Sequence, residues 1–101
     1  MAQGDIFGNG VVEVAPGTTC DFKPDTDREA VVHNYAVSGT DGMKWQLEFY
    51  DSAASKSMLL VDDSSVVLQT NLYLHCKPTA YYRIKCISGT ILVHYDGVIT
   101  K

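Results

Sequence analysis

No run in this 101-residue chain approaches the roughly 18–20 consecutive apolar residues that a membrane helix needs. The amino terminus, Met1-Ala2-Gln3-Gly4-Asp5, has neither a basic segment nor an apolar one, so no signal peptide is expected and folding in a cytosol is. Lysine and arginine are scarce, 8 against 12 acidic residues, and they never cluster. A formal net charge of -4 makes a nucleic-acid backbone a poor partner. Only three prolines and three cysteines are present. The odd cysteine count fits free buried thiols better than a disulfide framework. No nucleophile elbow, Gly-rich phosphate loop, CxxC pair or EF-hand loop is found, which removes the common signatures of catalysis and ion binding. Helix-forming sequence is nearly missing as well. Asp51–Ser57 (DSAASKS) alone tolerates a helix, and it is too short and serine-rich to sustain one.

What remains is a sequence of short strand-like runs. The carboxy-terminal part, NLYLHC-KPTA-YYRIKC-ISG-TILVHYD over Asn71–Asp96, gives the plainest pattern. Closing a two-residue turn at Ser88-Gly89 pairs Cys86 with Ile91, Ile84 with Val93 and Tyr82 with Tyr95. Alternation then puts these six residues on one face. A second loop at Pro78-Thr79-Ala80 brings Cys76, Leu74 and Leu72 to the same face. The expectation is a three-stranded antiparallel meander with an apolar inner side. In that register Cys76 and Cys86 lie about 13 Å apart along the strands, beyond disulfide reach. Ile84→Asp is expected to unfold the domain, and Arg83→Ala to be mild.

Upstream, Val11–Ala15 reads as a strand ended by Pro16-Gly17, Thr18–Phe22 as a short strand, and Lys23–Asp27 as a polar loop. Arg28–Val37 alternates with mixed character on both sides, so neither can be assigned inward. Lys44–Tyr50 alternates cleanly, with Trp45, Leu47 and Phe49 on one face. Met58–Val61 and Val66–Gln69 follow, split by a turn at Asp62–Ser65. Eight or nine short strands at roughly ten-residue spacing predict one all-β domain over 11–101, an antiparallel β-sandwich of jelly-roll or Ig-like type or a small barrel. Residues 1–10, with glycines at positions 4, 8 and 10, read as a flexible arm anchored by Ile6 and Phe7.

The three histidines invite a metal site. In the meander register, however, His75 and His94 flank Arg83, leaving their imidazoles about 10 Å apart, whereas zinc ligands converge to about 2 Å from the ion. A row of polar outer groups is the simpler reading, and no metal or cofactor is expected. The outward face of the meander mixes Tyr73, His75, Tyr81, Arg83, Lys85 and His94 with the apolar Ile87 and Leu92. That composition suits a subunit or partner interface, which Ile6 and Phe7 of the arm would join.

The segment Tyr81-Tyr82-Arg83-Ile84-Lys85-Cys86-Ile87-Ser88-Gly89-Thr90, followed by Val93-His94-Tyr95-Asp96-Gly97-Val98-Ile99-Thr100, resembles the closing "YLRIKN-SG-…-YDGV" of small structural proteins of tailed bacteriophages. The overlap covers about the last 25 residues, with Cys86 where an Asn is more usual. The resemblance implies a non-enzymatic virion protein, a capsid decoration or cement protein or another head or tail component. Its partner would be the major capsid protein or another virion protein, commonly with the decorating chain as a homotrimer. A carbohydrate-binding sandwich or adhesin is the alternative, motivated by ten aromatic residues able to stack on sugar rings.

Overall fold

The computed structural model describes residues 4–101. Ten strands and no helix are found among them: β1 (Ile6–Gly8), β2 (Val12–Val14), β3 (Thr19–Asp21), β4 (Ala30–Gly39), β5 (Lys44–Asp51), β6 (Lys56–Asp63), β7 (Val67–Gln69), β8 (Leu74–Cys76), β9 (Ala80–Ser88) and β10 (Ile91–Ile99). All pairings are antiparallel, in two sheets. The first sheet has β10 and β4 at its centre. β1 and β2 share the outer edge of β10, and β7 and β8 share the outer edge of β4. The second runs β3-β9-β5-β6. Each sheet is thus four strands wide, and the expected all-β sandwich is what forms. The strand beyond the expected count is β1.

The expected meander does not form. β8 pairs with β4, and β10 with β4, β1 and β2, while β9 lies in the opposite sheet between β3 and β5. Both edges of β9 are taken: β3 binds one, extended by Gly17 and Thr18 on the Cys86 backbone and by Phe22 on Tyr82, and β5 binds the other. Ser88-Gly89 is therefore a corner between sheets, with Gly89 at φ 69°. A Cβ there would sit 3.0 Å from the Met43 Cα, so the corner favours glycine on both conformational and steric grounds. Only a single bridge, Lys77 to Ala80, survives of the second hairpin. The inward assignment nonetheless stands for Ile84, Cys86, Ile91, Val93, Tyr95 and Cys76, which are all buried. Crossing from one sheet of a sandwich to the other leaves the inner side facing the same core.

The mixed alternation of Arg28–Val37 has a specific cause. Asp96 pairs with Asn34 but Gly97 pairs with Val32, so β4 carries an extra residue, His33, opposite this step. Ala30 and Val32 point inward before the bulge; Tyr35 and Val37 do so after it. Gly97 is where the strands crowd, since a Cβ would collide with the Val31 carbonyl. A second bulge leaves Leu60 of β6 unpaired between Val61 opposite Leu47 and Leu59 opposite Glu48.

The core is strongly aromatic. Phe22 stacks on Tyr95 with ring centroids 4.3 Å apart, Phe7 packs on Tyr95 at 5.5 Å, and Tyr35 meets Trp45 edge-on at 6.3 Å. Trp45 is fully buried and donates its indole N–H to the Ser65 carbonyl at 3.0 Å. The reading of residues 1–10 as an arm is corrected over β1, which pairs with Asp96–Val98 and drives Phe7 into the core at 4% exposure. Burying an aromatic ring offsets the ordering entropy of a three-residue strand. Residues 1–3 of that expectation lie outside the described residues.

Candidate interaction surface

The expected outer-face residues do not share a face, because β9 and β10 belong to different sheets. Tyr81, Arg83, Lys85 and Ile87 lie along β9 in the second sheet; Leu92 and His94 are on β10 in the first, with Tyr73 and His75 at β8. The interface expected to unite them is two surfaces on opposite sides of the sandwich. Phe7 and Tyr81, at 4% and 6% exposure, are too buried to serve as contact residues, whereas Ile6 and Tyr73 are open to solvent.

On the β9 side, Glu48 and Arg83 face each other across β5 and β9, and the Arg83 Nε–H donates to Glu48 Oε1 at 2.6 Å. The guanidinium also lies 4.2 Å from the Tyr50 ring centroid. Tyr50 meets Tyr81 edge-on at 5.7 Å, and the Lys23 ammonium stands 5.8 Å from the Tyr81 ring. Burial, with the nearby Asp21 carboxylate, pushes the Tyr81 phenol above its ordinary range. Arg83 is thus a packed member of a network and not the free outer cation expected. The cluster pairs Arg83 with Glu48 and sets its two rings edge to face, an arrangement that stiffens a sheet face.

On the β10 side, His94 Nε2 is 3.1 Å from Asp96 Oδ2, and Asp96 Oδ1 accepts from the Asn34 side-chain amide at 2.5 Å. The Asn34 hydrogen bond holds the Asp96 carboxyl below its usual value. Burial opposes charge on His94, but the Asp96 carboxylate and the backbone carbonyls of Gly10 and Asn9 outweigh it and raise the imidazole. His75 sits elsewhere, 2.8 Å from Glu29 Oε1. Its strand partner is Val31, not Arg83. The spacing that spoke against a shared metal therefore rested on a pairing that does not exist. Among the described residues, no group of three or more His, Cys, Asp or Glu converges as metal ligands would.

Asn9, within the segment expected to be a flexible arm, fills the break between β1 and β2. Its Oδ1 accepts from the Tyr95 backbone N–H at 2.9 Å and its own N–H donates to the Tyr95 carbonyl at 3.2 Å. The Asn9 amide also reaches Cys20 Sγ at 3.7 Å. Asn9 thereby continues the ladder at Tyr95, between Gly8 opposite Asp96 and Val12 opposite Val93. Cys20, Cys76 and Cys86 are all free and buried. Burial pushes the Cys20 and Cys76 thiols up to about 11, which keeps them protonated and unreactive.

The surface feature that sequence reasoning missed is apolar. β6 and β7 form the same flank of the sandwich, each at the edge of its sheet and joined by Ser64-Ser65-Val66. That flank exposes Met58 (62%), Leu59, Leu60, Val66 and Leu68 (70%). From it an open groove of about 390 Å³ runs across the first sheet, walled by Val66 and Leu68 on one side and Val11 on the other, with Ala36, Leu92 and His94 in its floor. Leu92, expected to point outward, does so here. In the sequence, Met58–Val61 reads only as an apolar strand run; the strand order shows that it is an edge. Fully buried Trp45 offers no ring to a sugar, which removes the most obvious stacking platform of the carbohydrate reading. Neither the family models nor the curated proteins searched match this chain.

Proposed function

We propose that this chain is a contact-making structural protein, and specifically a virion protein that decorates or cements a capsid by docking on the major capsid protein or a neighbouring virion component. The observation that carries this reading is the open apolar groove across the first sheet, lined by Val11, Val66, Leu68 and Leu92, all exposed. A small monomer seldom leaves so many large aliphatic side chains together in water, and such patches mark sites of macromolecular contact. The residues that carry the phage resemblance, 81–100, form β9 and β10, one at the heart of each sheet, so the likeness concerns the scaffold that presents this surface. The work is mechanical. Docking excludes water from aliphatic side chains and bridges neighbouring subunits, while the paired charges around Arg83 and Asp96 keep the two sheet faces rigid.

Purified source particles provide the test. The chain is expected to co-sediment with them at fixed stoichiometry and to be released with loss of particle thermal stability. Recovery of the chain only in the soluble fraction of infected cells rejects the reading. The threefold assembly expected from the resemblance would need a head-to-tail contact.

A further inference from the structure

β6 is eight residues long and pairs only with β5 among the described residues, leaving its other edge open. Natural proteins usually guard such an edge with charge, a bulge or brevity; β6 carries the Leu60 bulge but is not short. β6 has charges only at its ends, and they are of opposite sign: Lys56 at the start, Asp62 and Asp63 at the finish. Between them stand Met58, Leu59 and Leu60, all exposed.

We propose that this edge binds the same edge of a second copy of the chain, giving a two-fold dimer in which the second sheet runs on continuously as eight strands. The register is fixed by two independent conditions. First, partners must share a face. Opposite the buried Trp45 and Leu47 lie Asp63 and Val61, and beyond the bulge Met58 and Lys56 keep to that inner side, opposite Phe49 and Asp51. Asp62, Leu59 and Ser57, opposite Gln46, Glu48 and Tyr50, take the outer side. Second, Lys56 must meet a carboxylate. Antiparallel pairing about a dyad between Leu59 and Leu60 satisfies both conditions. It sets Lys56 against Asp63, Ser57 against Asp62, Met58 against Val61 and Leu59 against Leu60, each with its counterpart in the partner copy. Sliding by one residue sets inner against outer positions and breaks the match. The bulge at Leu60 is what allows Met58 and Val61, an odd number of residues apart, to lie on one face. Charges that would repel along a parallel pair attract along this one. Exposed Val66 and Leu68 of β7, on the same flank, add apolar surface beside the joined strands.

The inference does not depend on the proposed function and is tested on the purified chain alone. Sedimentation over a concentration series, with native mass spectrometry for stoichiometry, is expected to show two copies with a dissociation constant on the order of micromolar. Leu59→Lys, which sets cations about the dyad, is expected to remain a single copy at all concentrations while melting cooperatively at the temperature of wild type diluted below its dissociation constant. Lys56→Asp is expected to loosen association about tenfold, since two symmetry-related pairs each turn repulsive. For the register, Leu59→Cys mixed with Leu60→Cys is expected to form a mixed disulfide faster than either variant alone, against a background of buried native thiols. A wild-type chain that stays single at its highest soluble concentration overturns the proposal, as do a three-copy mass, a Leu59→Lys dimer, or equal cross-linking rates.

Discussion

At the scale of single residues, the charges are worth most where they are least exposed. Arg83→Ala, mild if the side chain were a free surface cation, instead leaves Glu48 at 8% exposure without its donor and takes a cation from the Tyr50 ring. A loss of about 2 kcal/mol in urea-unfolding stability is expected, with Arg83→Lys recovering only part because lysine cannot reproduce the guanidinium geometry. Asn9→Ala removes the acceptor of the Tyr95 backbone N–H inside the sheet and is expected to cost about 2 kcal/mol by the same measurement. The His94–Asp96 pair gives a pH signature. The raised imidazole stabilises the fold below its unfolded value near 6.5, and that contribution is lost as pH rises through the folded value. The lowered carboxyl contributes above its unfolded value of 3.8, and that contribution is lost as pH falls through the folded one. Melting temperatures of wild type and His94→Gln are therefore expected to differ most between roughly pH 4 and 6.5 and to converge as pH rises through the raised folded value.

Among the elements, what could be read in the sequence was set by local alternation, and what could not was set by partner choice. Ile84, Cys86, Ile91 and Val93 are inward in the sequence pattern and inward in the fold, because a strand's two faces are a property of the strand alone. Which strand lies beside it is decided by non-local competition. β9 takes β3 and β5 where a short turn offered β10, and no local rule favours a sheet-to-sheet corner over a hairpin at Ser88-Gly89. The same gap hid the contact surface: Met58–Val61 is equally apolar as an edge or as a centre. In β4 the bulge at His33 changes the inward parity, which makes both faces of that strand look mixed. β1 was legible least, since three residues among glycines carry almost no period. Its weight rests on Phe7 against Tyr95, so Phe7→Ala is expected to cost about 3 kcal/mol and to expose residues 4–8 to limited proteolysis.

For the whole molecule, a radius of gyration of 13.0 Å matches the size expected of a packed chain this long. Nearly every pairing is between strands far apart in sequence, and the longest-range of these, Ile6 with Val98, binds the first strand to the last. Gly4 N–H donates to the Ile99 carbonyl and Ile99 N–H to the Asp5 carbonyl, so residues 4–8 and 97–99 leave the fold at one corner. That closeness makes the fold nearly a closed circle. Joining the two ends by a short glycine linker and reopening the chain in the exposed Ser52–Ser55 turn is expected to leave every strand neighbour unchanged. Such a permutant should melt cooperatively within a few degrees of the parent, because the new junction spans only the corner where Gly4 and Asp5 bond to Ile99.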